Sequence, residues 1–240
     1  MILRRLAVSM SLLVVAGCTD PATPAPAAPG STVSAPSTAS AGAAVDREAA
    51  LDSTVQVRAD GCGPRTRLGL GTVIDERLVA TAAHVVAGAD RVEIVDRGGE
   101  LTRADVVGFD PDQDLALLMT SDPVGVVAPV RSDAPSAGDV GLVAIVRDET
   151  ELDLLDAVVT RTVTVRTTDL YGTGRVERPG FEIDASIEPG DSGTMVHFPD
   201  GVSGVVWARS LDRVDRAWAV ALSPEDATLA AQTFADVYIT

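Results

Sequence analysis

Beyond Ser53, no apolar run in this 240-residue chain is long enough to form a core helix before the last turns of the sequence. Short runs recur instead, separated by Gly, Pro and Asp, and that punctuation predicts strands of a sandwich or barrel. Five runs occupy residues 54–58, 68–74, 91–95, 104–108 and 115–119. Six more occupy 141–146, 157–166, 181–185, 194–197, 202–208 and 217–222. A Pro-, Asp- and Ser-rich joint near residues 122–135 separates the two sets, so the expected fold is all-β, with two packed antiparallel six-stranded Greek-key barrels. Ser223-Pro224-Glu225 is a helix start, with a capping serine followed by proline, and Leu229, Phe234 and Val237 then recur near helical spacing. A C-terminal α-helix packed on the second barrel is expected there.

The N-terminus belongs to a different regime. Arg4-Arg5 precede an apolar run over residues 6–16, which is too short to span a bilayer, and the run ends in Val15-Ala16-Gly17-Cys18. Small residues before a cysteine resemble a bacterial lipobox. That resemblance implies cleavage before Cys18, lipidation of its thiol and anchoring to the cell envelope. Residues 19–46 are mostly Pro, Ala, Thr, Ser and Gly, too poor in large apolar groups to offset the entropy of ordering them, and read as a tether. The expected organisation is therefore a signal and lipobox over 1–18, a linker over 19–46, a first barrel over 47–130, and a second barrel with its helix over 131–240. With Cys18 lipidated, Cys62 has no disulfide partner and reads as a buried, unreactive thiol.

Composition removes several chemistries. A formal net charge of −16 repels phosphate backbones, which argues against a nucleic-acid partner. The chain contains no lysine, so a Ser/Lys dyad, a Schiff base and a Walker P-loop are excluded. The two histidines, His84 and His197, lie in no HExxH or CxxC context, so no metal or other cofactor is expected. His197 reads as structural.

Three segments carry candidate chemistry. His84 sits among small residues in Thr81-Ala82-Ala83-His84-Val85-Val86, which leave its imidazole room. Asp114 ends the acidic loop Asp110-Pro111-Asp112-Gln113-Asp114, immediately before the apolar run Leu115-Ala116-Leu117-Leu118. A carboxylate at the mouth of a buried strand needs a donor, and an imidazole Nδ1–H is suitable. Ser192 lies in Glu188-Pro189-Gly190-Asp191-Ser192-Gly193-Thr194. Gly190 lets the backbone of Gly190, Asp191 and Ser192 turn so that amides point at one spot, as an oxyanion hole requires.

The order His, Asp, Ser matches the chymotrypsin/trypsin superfamily and differs from that of subtilisins and α/β-hydrolases. TAAHVV, DQDLALL and EPGDSG resemble the active-site motifs of trypsin-like serine proteases, and DASIEPGDSG is especially similar to the bacterial HtrA-type branch. The resemblance implies a chymotrypsin-like fold, a protein or peptide substrate, and a catalytic triad of His84, Asp114 and Ser192. It also implies a specificity pocket near Ser186, Ile187, Val206 and Trp207. With no acid aligned there, a preference for an apolar P1 side chain over Arg or Lys is expected. Thr194 stands where the family usually has Gly, which threatens to narrow the neighbouring site. Asp191 matches the acid that pairs with a newly cut N-terminus in trypsin-like zymogens, a partner that a lipidated chain does not offer. No PDZ-like module is expected after the protease body. The competing reading is a catalytically silent peptide-binding surface protein. An esterase is disfavoured, because the GxSxG elbow is absent.

Overall fold

The computed structural model describes residues 44–61, 66–148 and 151–222. The expected signal with Cys18, most of the linker, Cys62 and the terminal helix lie outside the described residues.

A short helix, α1 (Arg47–Asp52), precedes the strands. Asp46 starts it, its Oδ1 accepting from the amides of Glu48 at 3.1 Å and Ala49 at 3.2 Å. Its buried residue Ala50 packs in a small cluster with Leu70, Leu142 and Leu154, so the helix closes over both halves of the protein.

The first barrel is built from β1 (Thr54–Gly61), β2 (Arg67–Asp75), β3 (Leu78–Ala82), β4 (Ala89–Val95), β5 (Leu101–Asp110) and β6 (Leu115–Thr120). They close in the order β1-β2-β3-β6-β5-β4. A single-turn helix, α2 (Ala83–Val86), follows β3. The second barrel uses β7 (Val140–Asp148), β8 (Glu151–Thr168), β9 (Arg175–Asp184), β10 (Met195–Phe198), β11 (Gly201–Arg209) and β12 (Arg216–Val220), closing as β10-β11-β12-β9-β8-β7. Closure leaves neither sheet an unpaired edge. β3 runs into the histidine motif, a passage that reads in the sequence as strand going over to turn.

The two barrels share one core. Met195, Val202, Val205, Val220 and Leu222 of the second belong to the same buried cluster as Val55, Val79 and Leu117 of the first. This explains why Leu115-Ala116-Leu117-Leu118 is apolar throughout: all four residues are buried, because β6 has protein on both faces. The candidate chemistry sits along this seam.

His197 on β10 is buried, with Nε2 3.5 Å from Thr54 Oγ1, which itself donates to Ala50 O at 2.8 Å. Burial lowers its pKa from 6.5 to about 4, because a charged ring would lose its hydration there. The unfolded chain therefore takes a proton that the folded chain refuses. Stability present above pH 6.5 is lost as pH falls toward 4, by an amount on the order of 3 kcal/mol. Denaturant unfolding at neutral pH and near pH 4 should show His197→Gln losing less stability than the wild type by about that amount.

Candidate active site

The site is assembled from the ends of paired strands. β3 and β6 run antiparallel with Ala82 opposite Leu115, so the residue after one strand lies beside the residue before the other. They are Ala83, next to His84, and Asp114 itself. The Asp110 side chain shapes the approach to β6, its Oδ1 accepting from the amides of Asp112 at 2.8 Å and Gln113 at 2.9 Å. The chain then enters Asp114 at φ 58°, the single non-glycine positive φ among the described residues. Aspartate tolerates this left-handed region better than most residues, but at a cost that surrounding contacts must offset.

Those contacts are present. The Asp114 carbonyl accepts from Ala83 N at 3.0 Å, and Asp114 Oδ1 accepts from His84 N at 2.8 Å. Asp114 Oδ2 lies 3.0 Å from His84 Nδ1. A carboxylate only accepts, so Nδ1 carries the hydrogen and Nε2 keeps its lone pair. Asp114 is buried while the imidazole remains one-third exposed, an arrangement that orients a base without closing off its working nitrogen.

The serine segment comes from the second barrel. Glu188-Pro189-Gly190-Asp191 forms a turn closed by Asp191 N donating to Glu188 O at 3.1 Å. Pro189 in its second position and Gly190 at φ 110° in its third match a type II turn, which needs glycine there. Asp191 turns inward, where its Oδ1 accepts from Val146 N and its Oδ2 from Glu188 N, both at 2.8 Å. Burial raises its pKa, against the opposing pull of these two amides. Main-chain donors thus meet this acid where trypsin-like zymogens would use a newly cut N-terminus. The amide of Asp191 is spent in closing the turn, so Asp191 is no donor to the oxyanion hole expected of it and serves it only by holding the turn with its carboxylate. The amides of Gly190 and Ser192 meet no acceptor among the described residues.

Two contacts dock this turn on the first barrel. Leu70 N on β2 donates to Ser192 O at 2.8 Å, and Gly193, at φ 97°, approaches so closely that a Cβ would lie 2.0 Å from Leu70 O. No other residue type fits that position. A Cβ on Gly69 would meet both Ser192 O, at 2.9 Å, and Val85 Cγ2, at 2.7 Å, so the serine's backbone runs beside the residue that follows His84. Among the described residues, no hydrogen bond joins the Ser192 hydroxyl to the imidazole.

The expected specificity residues divide. Ser186 is exposed and Trp207 half-buried. Ile187 and Val206, at 3% and 0% exposure, belong to the core of the second barrel. They cannot line an open pocket as expected, since strand alternation sends Val206 inward and its neighbour Trp207 outward. Thr194 is also fully buried, so its bulk is taken up inside the fold. Among the described residues, no group of three or more His, Cys, Asp or Glu could hold a metal ion.

Arg178, on β9, was not singled out by sequence. It is buried, 3.6 Å from Asp114 Oδ2, and its polar partners lie in the other barrel, so no local pattern announces it.

The model of the trypsin-like peptidase domain family matches residues 69–202. The serine protease Rv3671c of Mycobacterium tuberculosis is 30% identical over 147 residues, covering 60% of this chain and 36% of its own length. This chain thus spans little more than a third of the relative it matches. The crystal structure of the active form of the Rv3671c protease from M. tuberculosis superposes with a TM-score of 0.71, at 22% identity, covering 85% of this chain and 94% of that one. An HtrA-type protease solved with a tripeptide gives a TM-score of 0.63, at 22% identity, over 78% of this chain and 61% of its own. At such identities the two structures speak to the fold.

Asp191→Ala removes the acceptor for two amides and frees the turn that follows. We expect kcat/KM on a peptide substrate to fall on the order of 10²–10³-fold, as when an oxyanion donor is lost, with the far-ultraviolet circular dichroism of the barrels retained.

Proposed function

The chain belongs to the trypsin-like peptidase family, and from that premise we propose that it is a serine endopeptidase with His84, Asp114 and Ser192 as its triad. Ser192 Oγ attacks the scissile carbonyl while His84 Nε2 takes its proton, and the Gly190 and Ser192 amides receive the charge on the carbonyl oxygen. The imidazolium returns the proton to the departing amine. Water then opens the acyl-enzyme by the same steps in reverse.

The observation that carries this reading is the His84–Asp114 pair, with Nδ1 and Oδ2 3.0 Å apart beneath an imidazole still open to solvent. The competing reading, a silent peptide binder with the same fold, draws on the missing hydrogen bond between Ser192 and His84. Such bonds are often long until substrate is bound. A fluorophosphonate probe separates the two. Covalent labelling that vanishes in Ser192→Ala supports the protease, and a folded wild type that never labels supports the binder. On peptide substrates, Ser192→Ala or His84→Ala should lower kcat by roughly 10⁴–10⁶-fold.

The site of action is proposed to be the cell envelope, with the catalytic body tethered by a lipid on Cys18. The support is the sequence Val15-Ala16-Gly17-Cys18 and the tether-like composition after it. In a bacterial host, the full chain should partition with membranes and gain the mass of a diacylglyceryl group on Cys18. Cys18→Ser should leave it either unprocessed or released. Recovery of unlipidated wild-type protein would refute the anchor.

A further inference from the structure

We propose that Arg178 is a positioning residue that holds the Asp114 turn in its working geometry from the opposite barrel. The inference rests on the triad reading given above.

β8 and β9 form a long hairpin that reaches back to the loop before Asp114. Leu170 N donates to Pro111 O at 3.0 Å, and Gln113 Nε2 donates to Glu177 O at 3.4 Å. Arg178 lies at the centre of this contact. Its Nε donates to Asp112 O at 2.7 Å, one terminal nitrogen donates to Pro111 O at 3.4 Å, and the other stands 3.6 Å from Asp114 Oδ2. All three nitrogens therefore face the same five-residue turn. The flat face of the guanidinium covers the Trp207 ring at 4.5 Å.

This geometry does two things. It supplies a countercharge to the Asp114 carboxylate, which is buried to 3% exposure and, among the described residues, has no other cation within ion-pair distance except His84 when protonated. It also fixes the carbonyls that lead into the strained αL backbone of Asp114, so that the carboxylate stays under the imidazole. The link runs further. Val206, next to Trp207, accepts from Gly193 N and donates to Thr194 O, both at 2.8 Å, so the surface under Arg178 is tied to the serine turn. One side chain thus spans the acid of one barrel and, through Trp207, the strand of the other that is hydrogen-bonded to the serine turn. A lysine could keep the charge but not the planar fork.

The test compares Arg178→Met and Arg178→Lys with the wild type and with Ser192→Ala. For Arg178→Met we expect kcat lower on the order of 10²-fold, as a misplaced catalytic group costs, with KM within about twofold. Its far-downfield proton resonance, from His84 Nδ1–H hydrogen-bonded to Asp114, should be lost. Arg178→Lys should recover part of kcat, and melting by circular dichroism should show both variants folded. The resonance is also read in the Ser192→Ala background, where it needs no turnover. If Ser192→Ala abolishes activity while Arg178→Met keeps wild-type kcat and the resonance, this proposal fails and the triad reading stands. If Ser192→Ala retains activity, the triad reading itself fails. If Arg178→Met does not fold, Arg178→Lys decides, since wild-type kcat there overturns the proposal and lowered kcat at unchanged melting supports it. Loss of folding in both variants also overturns it and assigns Arg178 to the core.

Discussion

Asp114 is held in a backbone conformation that few residues adopt, and the contacts from Ala83 and His84 are what make that tolerable. The constraint works in both directions. The amides at the start of α2 need acceptors, and the carboxylate entering a buried strand needs donors, so each answers the other. The imidazole is the third party to this exchange. Its tautomer and its orientation follow from contacts that are mostly main-chain, which is why the pair does not depend on a bound substrate.

The serine turn is organised by the same kind of exchange. Asp191 is buried as a carboxylate at a cost that its raised pKa reports, and in return it ties Glu188 to Val146 on β7. Between its folded and unfolded pKa values this group makes the protein less stable as pH rises, so its retention is better explained by the turn it shapes than by stability. Gly193 then brings the serine backbone against β2 so closely that no side chain fits. The seam of the two barrels is thus both a shared apolar core and the line along which the candidate catalytic groups meet.

Much of this was legible in the residues, and the exceptions have physical causes. Strand runs such as 141–146 and 202–208 stood out because their apolar residues are short, dense and punctuated. The His84 and Ser192 segments stood out because small residues and glycines mark close backbone approaches. What escaped was long-range. Arg178 reads as an ordinary polar strand residue, and only the crossing of the β8–β9 hairpin to the other barrel gives it polar partners. Ile187 and Val206 were assigned to a pocket by resemblance, whereas their burial depends on how β11 and the segment before the serine turn meet the second core. α1 escaped for a different reason: it is short and adjoins the tether, whose composition points away from structure.

The account rests on the neutral imidazole of His84 carrying its hydrogen on Nδ1, toward Asp114. Nitrogen-15 chemical shifts of His84, measured on the folded body under mildly alkaline conditions and assigned against His84→Gln, read that tautomer directly. The account predicts a pyrrole-type Nδ1 and a pyridine-type Nε2. A pyridine-type Nδ1, or two averaged nitrogens as in a free ring, would contradict it.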